Sequence, residues 1–132
     1  MKDPLIEAAR QSLESAYAPY SCYKVGAAIE SSSDKIYTGC NIENSSYGLT
    51  VCAERVAIFK AISDGERIFK RIVLVSSQEA PPMPCGACLQ VMAEFCDEDF
   101  EINIIKDDGE MEKFLFKELF PKPFTIEQGR RK

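Results

Sequence analysis

Apolar residues recur at helical spacing in the first segment, where Leu5, Ile6, Ala9 and Leu13 interrupt a polar background. Asp3 stands where an N-cap belongs and Pro4 at the first helical position, so a helix is predicted over 3–16. "YAPYS" breaks it. "KVGAAIES" (24–31) and "KIYTGCN" (35–41) read as two strands joined by "SSDK", an antiparallel hairpin. "SSYGLT" is a loop. Helical spacing returns in "VCAERVAIFKAISDG" (51–65), with Val51, Val56, Phe59 and Ile62 near one face and Gly65 closing the helix. "RIVLVSS" is an unbroken apolar run, hence a buried central strand. "QEAPPMP" is a rigid loop feeding a helix, "CGACLQVMAEFC" (85–96). "FEINIIK" is a strand, "DDGE" a turn and "MEKFLFK" a last strand, with a short helix "KELF" before "PKPF".

The order is helix, two strands, helix, strand, helix, two strands. It predicts an α/β fold of three layers, α/β/α, around a mixed five-stranded sheet. Parallel neighbours need a crossover of about a dozen residues or more. The last two strands are joined by only four, "DDGE", so they are expected to be antiparallel. The whole chain, 1–132, is expected to form one catalytic domain, with a flexible or helical tail from about 125.

Composition narrows the function. A hydrophobic share of 45% and a charged share of 28% are ordinary for a soluble globular protein. No apolar run approaches bilayer length and the N-terminus does not read as a signal peptide, so a cytoplasmic location and no membrane partner are expected. The net charge of −5 argues against a nucleic-acid partner. The one basic cluster, "GRRK", reads as a solvated terminus. With no histidine in the chain, Ser-His and Cys-His dyads and any His-ligated metal are excluded. Proton transfer near neutral pH must use a carboxylate, lysine, tyrosine or thiol.

Six cysteines in a reducing compartment point to metal or redox chemistry. Cys85 and Cys88 open a helix behind Pro84, and residues at i and i+3 share a helix face. Cys52 opens the helix before them. Helix N-termini lower thiol pKa values, favouring the thiolate that a metal requires. Two facing helix starts would bring three thiolates to one ion, a soft tetrahedral site suited to zinc. Cys96 lies roughly 12 Å along the same helix and is a poor fourth ligand. Cys22 and Cys40 stay open on spacing. Three protein ligands and an open position are the mark of a catalytic zinc. Glu54, two residues from Cys52, is then placed to accept a proton from a bound water.

"YAPYS", "VGAA", "GCNIENSSY", "CAER", "PCGAC-Q" and "LFPKPF" occur in an order that resembles the cytidine deaminases, in particular their short, homotetrameric branch with three zinc cysteines. The resemblance spans roughly residues 10–124. It implies the cytidine-deaminase-like fold and hydrolytic deamination of cytidine and 2′-deoxycytidine to uridine and 2′-deoxyuridine, releasing ammonia in pyrimidine salvage. It also implies one zinc per chain on Cys52, Cys85 and Cys88, with Glu54 shuttling protons. Arg55 would offset the excess thiolate charge. Asn41 and Glu43 would hold the ribose hydroxyls, Tyr23 and the Ala53 backbone would line the base and sugar pocket, and Phe124 would cap the base in a neighbouring subunit. Tyr23 stands where members often carry Phe, adding a hydroxyl to the pocket; a packed aromatic before a strand explains it equally well. Leu89 stands where many members carry Arg.

Two other classes compete. A structural zinc module would need a fourth protein ligand and no role for Glu54. A thiol–disulfide oxidoreductase using Cys85 and Cys88 would leave Cys52, Glu54 and Arg55 unexplained. A free nucleoside is favoured over nucleotides because Glu43 would repel a phosphate.

Overall fold

The computed structural model describes residues 3–106 and 108–126. The "GRRK" cluster, most of the expected tail and Asp107 of the turn lie outside the described residues.

Helix α1 (Pro4–Ser12) begins as expected: Asp3 is its N-cap and its carboxylate accepts from the Leu5 N–H at 3.0 Å. A 3₁₀ turn, Leu13–Ser15, extends it. The hairpin follows as β1 (Val25–Ser31) and β2 (Ile36–Cys40). Next come α2 (Ala53–Ser63), β3 (Phe69–Ser76), α3 (Gly86–Phe95), β4 (Glu101–Ile105), β5 (Met111–Leu115) and the short α4 (Phe116–Leu119). The "SSYGLT" loop holds a 3₁₀ turn at Tyr47–Leu49.

The five strands form one sheet in the order β2-β1-β3-β4-β5. Only β3 and β4 are parallel, linked by the α3 crossover; β4 and β5 are antiparallel, as the short connection requires. Strand alternation sends Ala27, Ile29, Ile72, Leu74, Ile102 and Ile104 to the face covered by α2 and α3. Ala28, Val73, Val75 and Ile105 go to the other, where Leu5 and Ala9 of α1 cover them. These are the three expected layers.

The buried face of α2 differs from the expected one. Ala53, Glu54, Ala57, Ile58 and Ala61 face inward, while Phe59 is 46% exposed and Val51 lies outside the helix, bridged to Ile42. The reason is close approach. A Cβ at Gly39 of β2 would sit 2.4 Å from the Ala53 carbonyl oxygen and 2.5 Å from the Ala57 nitrogen. A helix this near the sheet meets it mostly through alanine, with Ile58 the large apolar side chain on that face and Phe59 turned outward.

Candidate active site

The starts of α2 and α3 are built alike. Cys52 and Cys85 are the N-cap residues, both with extended backbone, and neither side chain caps its own helix. Their thiols are thus available to each other. Cys52 Sγ lies 3.7 Å from Cys85 Sγ, and Cys85 Sγ lies 3.6 Å from Cys88 Sγ. All three sulfurs fall within 4.8 Å of one another, and no fourth side-chain ligand joins them among the described residues. Zinc–sulfur bonds of about 2.3 Å at tetrahedral angles set sulfurs about 3.8 Å apart. The three cysteines therefore fit three corners of a zinc shell. Cys22, Cys40 and Cys96 take no part in this cluster.

The electrostatics suit a cation. Cys52 is held down to about 5, first by the thiol of Cys88 and then by the guanidinium of Arg55. Cys88 is pushed up by that same contact with the Cys52 thiolate and by burial. Three thiolates cannot share this space without positive charge, and binding of a metal displaces their protons. Arg55 Nη2 lies 3.7 Å from Cys52 Sγ and donates to the Thr50 carbonyl at 3.4 Å, while its buried Nε has no hydrogen-bond partner among the described residues. Glu54 projects inward from the first turn of α2 and is only 4% exposed. Burial pushes its carboxyl up to about 7. A carboxyl so poised gives up and takes back a proton near neutrality with little driving force either way.

Cysteines 52 and 85 and Glu54 line a cavity of about 320 Å³. Its walls include Tyr23, Asn41, Glu43 and Ala53. Asn41 accepts from the Val25 N–H at 2.9 Å and donates to the Tyr23 carbonyl at 2.8 Å, which leaves one amide hydrogen and one lone pair unused. Glu43 accepts from the backbone N–H groups of Tyr20 and Ser21 at 2.9 and 3.2 Å and from the Ser21 hydroxyl at 2.5 Å. That hydroxyl, with the two N–H groups, holds its carboxyl below the usual range and fixes it as an acceptor.

Residues 2–103 match the family model described as "Cytidine and deoxycytidylate deaminase zinc-binding region". The chain belongs to this deaminase family. It is 46% identical over 125 residues to a cytidine deaminase of Sporosarcina psychrophila, covering 95% of this chain and 92% of that one. A probable cytidine deaminase of Dictyostelium discoideum is also 46% identical, over 92% of this chain and 82% of its own. Among solved structures, a cytidine deaminase from Burkholderia pseudomallei superposes with a TM-score of 0.87 at 43% identity, covering 94% of this chain and all of that one (100%). As a member, the protein is a zinc-binding hydrolase acting on a C–N bond. The zinc-module and oxidoreductase alternatives fall with that assignment.

The site of this deaminase holds details that the sequence did not reveal. Tyr23 lines the cavity, and its O–H donates to the Ala80 carbonyl at 2.8 Å. Phe124 is 68% exposed and outside this chain's own cavity; its carbonyl accepts from Gln90 Nε2 at 3.0 Å, tying the C-terminal segment to α3. Leu89 packs against the core under α3. Val25, Ser21, Thr50, Pro81, Pro82 and Met83 complete the walls. The only signal for the last three was the rigidity of "APPMP", which says nothing of where a loop lies. No described helix is long and apolar enough to cross a membrane.

Proposed function

We propose that this deaminase acts on cytidine and 2′-deoxycytidine, releasing ammonia and forming uridine and 2′-deoxyuridine in pyrimidine salvage in the cytoplasm. The observation that carries the proposal is a convergence: two of three clustered thiols and one buried carboxyl line a cavity that a fixed carboxylate, Glu43, also lines.

Cys52, Cys85 and Cys88 would hold one zinc, whose Lewis acidity lets water act as a nucleophile near neutral pH. Glu54 takes the proton from the attacking water and passes it to the ring nitrogen, then takes the proton of the new hydroxyl on the attacked carbon and gives it to the departing amine, which leaves as ammonia. Its raised proton affinity lets one group serve as base and acid in turn. Arg55 draws charge from Cys52, so that three thiolates do not blunt the Lewis acid. Asn41 and Glu43 bind the sugar hydroxyls with the capacity that their chain contacts leave free. Glu43 would repel a 3′-phosphate, which favours nucleosides over nucleotides and strands. Ala53 meets the base through its backbone, and the Tyr23 ring packs beside it.

The exposed ring of Phe124 supports a second part of the reading. In a homotetramer it would cover the base in a neighbouring subunit, each site gaining a lid from another chain. Zinc analysis with an ammonia-release assay on cytidine and deoxycytidine tests the reaction. Sedimentation of the active protein on dilution tests the assembly, and a fully active monomer would refute shared sites.

A further inference from the structure

The loop from β3 to α3 does two things for the site: it supplies Pro81, Pro82 and Met83 to the cavity wall, and it ends on Cys85. Pro81, Pro82 and Pro84 have no N–H, so the loop has few donors with which to hold itself. It is held from outside instead. Gln78 Nε2 donates to the Cys22 carbonyl at 2.8 Å. Ser77 N–H donates to the Lys24 carbonyl at 2.9 Å, and Lys24 N–H returns a bond to Ser77 Oγ at 3.1 Å. The Ala80 carbonyl accepts from the Tyr23 hydroxyl at 2.8 Å and lies 3.1 Å from the Ser76 hydroxyl, whose one proton it shares with the Gln78 carbonyl at 2.8 Å.

Ala80 is the hinge of this arrangement. A residue before proline is confined to extended backbone, so fixing the Ala80 carbonyl fixes the peptide plane on which the rigid Pro81–Pro82 unit is carried. The ring of Tyr23 lies on the wall of the same cavity.

We propose that Tyr23 is a positioning residue: its hydroxyl latches the 78–84 loop through Ala80 and so sets the width of the cavity between its own ring and the Pro81–Met83 wall. A phenylalanine would supply the ring without the latch. The inference rests on the deaminase reading above for its substrate, but not for its structural part. It predicts an effect on binding, because the loop shapes the space around the ground-state base, and little effect on the proton shuttle.

The test is Tyr23→Phe in the zinc-loaded protein. A solvent-accessible hydrogen bond is worth about 0.5–1.5 kcal/mol, so KM for cytidine should rise about two- to tenfold with a smaller change in kcat. Hydrogen exchange at the Met83 amide, bonded within the loop to the Pro81 carbonyl at 2.9 Å, should quicken. Ser76→Ala should do the same more weakly. Combining the two should exceed the sum of the single effects, since the Ala80 carbonyl then loses both donors. Unchanged KM, or unchanged exchange, overturns the latch: a KM effect alone would mean direct contact of the hydroxyl with substrate. If the parent protein releases no ammonia from cytidine, the proposed function fails, and the exchange measurement alone then decides the latch.

Discussion

Gly39 and Ala53 are in backbone contact: a single methyl group on Gly39 would lie 2.4 Å from the Ala53 carbonyl oxygen. The obstacle is main chain, which has no rotamer to yield. Gly39→Ala should push the start of α2 off the sheet, costing about 1–3 kcal/mol. Because Cys52 immediately precedes Ala53, zinc retention against a chelator should fall as well. Urea unfolding and chelator competition measure the two, and a variant equal to the parent in both would show that α2 can slide without disturbing the cluster.

Glu54→Gln should keep the fold and the zinc while turnover falls by about 10²–10⁴. A buried carboxyl whose proton affinity is raised by burial is replaced by a neutral group of the same shape. Thermal stability should therefore hold or rise. Turnover within a few-fold of the parent would remove Glu54 from the proton path.

Arg55→Ala should lower turnover more than stability, since its guanidinium lies against the Cys52 sulfur. The sharper expectation is compensation. Cys52→His removes one thiolate charge and should recover part of the activity in the Arg55→Ala background. Steady-state rates for the parent, both single variants and the double variant would close this cycle.

Asp3 joins the start of α1 to β3, its two oxygens each accepting from an Arg71 nitrogen at 2.8 Å. The guanidinium holds the Asp3 carboxyl below its ordinary value of 3.8. A lowered value stabilises the fold above that pH, and the stabilisation fades as the pH falls through the folded-state value. Asp3→Asn retains an N-cap but not the charge. Its thermal midpoint should trail the parent's near neutrality, and the gap should close as the solution is acidified below 3.8. A gap independent of pH would assign the loss to the cap alone.

Asn103 is 1% exposed in the middle of β4, and neither its oxygen nor its nitrogen has a hydrogen-bond partner among the described residues. Leaving such a group unpaired costs on the order of 1–3 kcal/mol. Asn103→Val, a strand former that fits beside Val73, should raise the urea midpoint. A fall would show that the amide is satisfied in the assembled protein.

Much of this architecture could be read from the chain because it is written in short-range rules. Asp3 and Pro4 mark a helix start whatever lies beyond, and five residues between β4 and β5 permit only one strand direction. The cluster of Cys52, Cys85 and Cys88 was legible for the same reason: its ligands sit at helix starts that the pattern locates. What escaped depends on distances between elements. The inner face of α2 follows from the closeness of Gly39; of the residues that hydropathy groups on one face, Ile62 packs against the core while Phe59 is exposed. Likewise, nothing in the sequence places the Ala80 carbonyl beside the Tyr23 hydroxyl.

Cys52 and Cys85 stand 33 residues apart, each at the threshold of a different helix. An ion gripped by both is a removable cross-link. By the loop-closure estimate used for disulfides, closing a ring of that size takes on the order of 3–4 kcal/mol of freedom from the unfolded chain. The supply of the ion thus governs more than turnover. Chains made under zinc starvation would unfold more often and fall to proteases sooner. The abundance of the protein in the cell would then track metal availability before any regulator of its synthesis had acted.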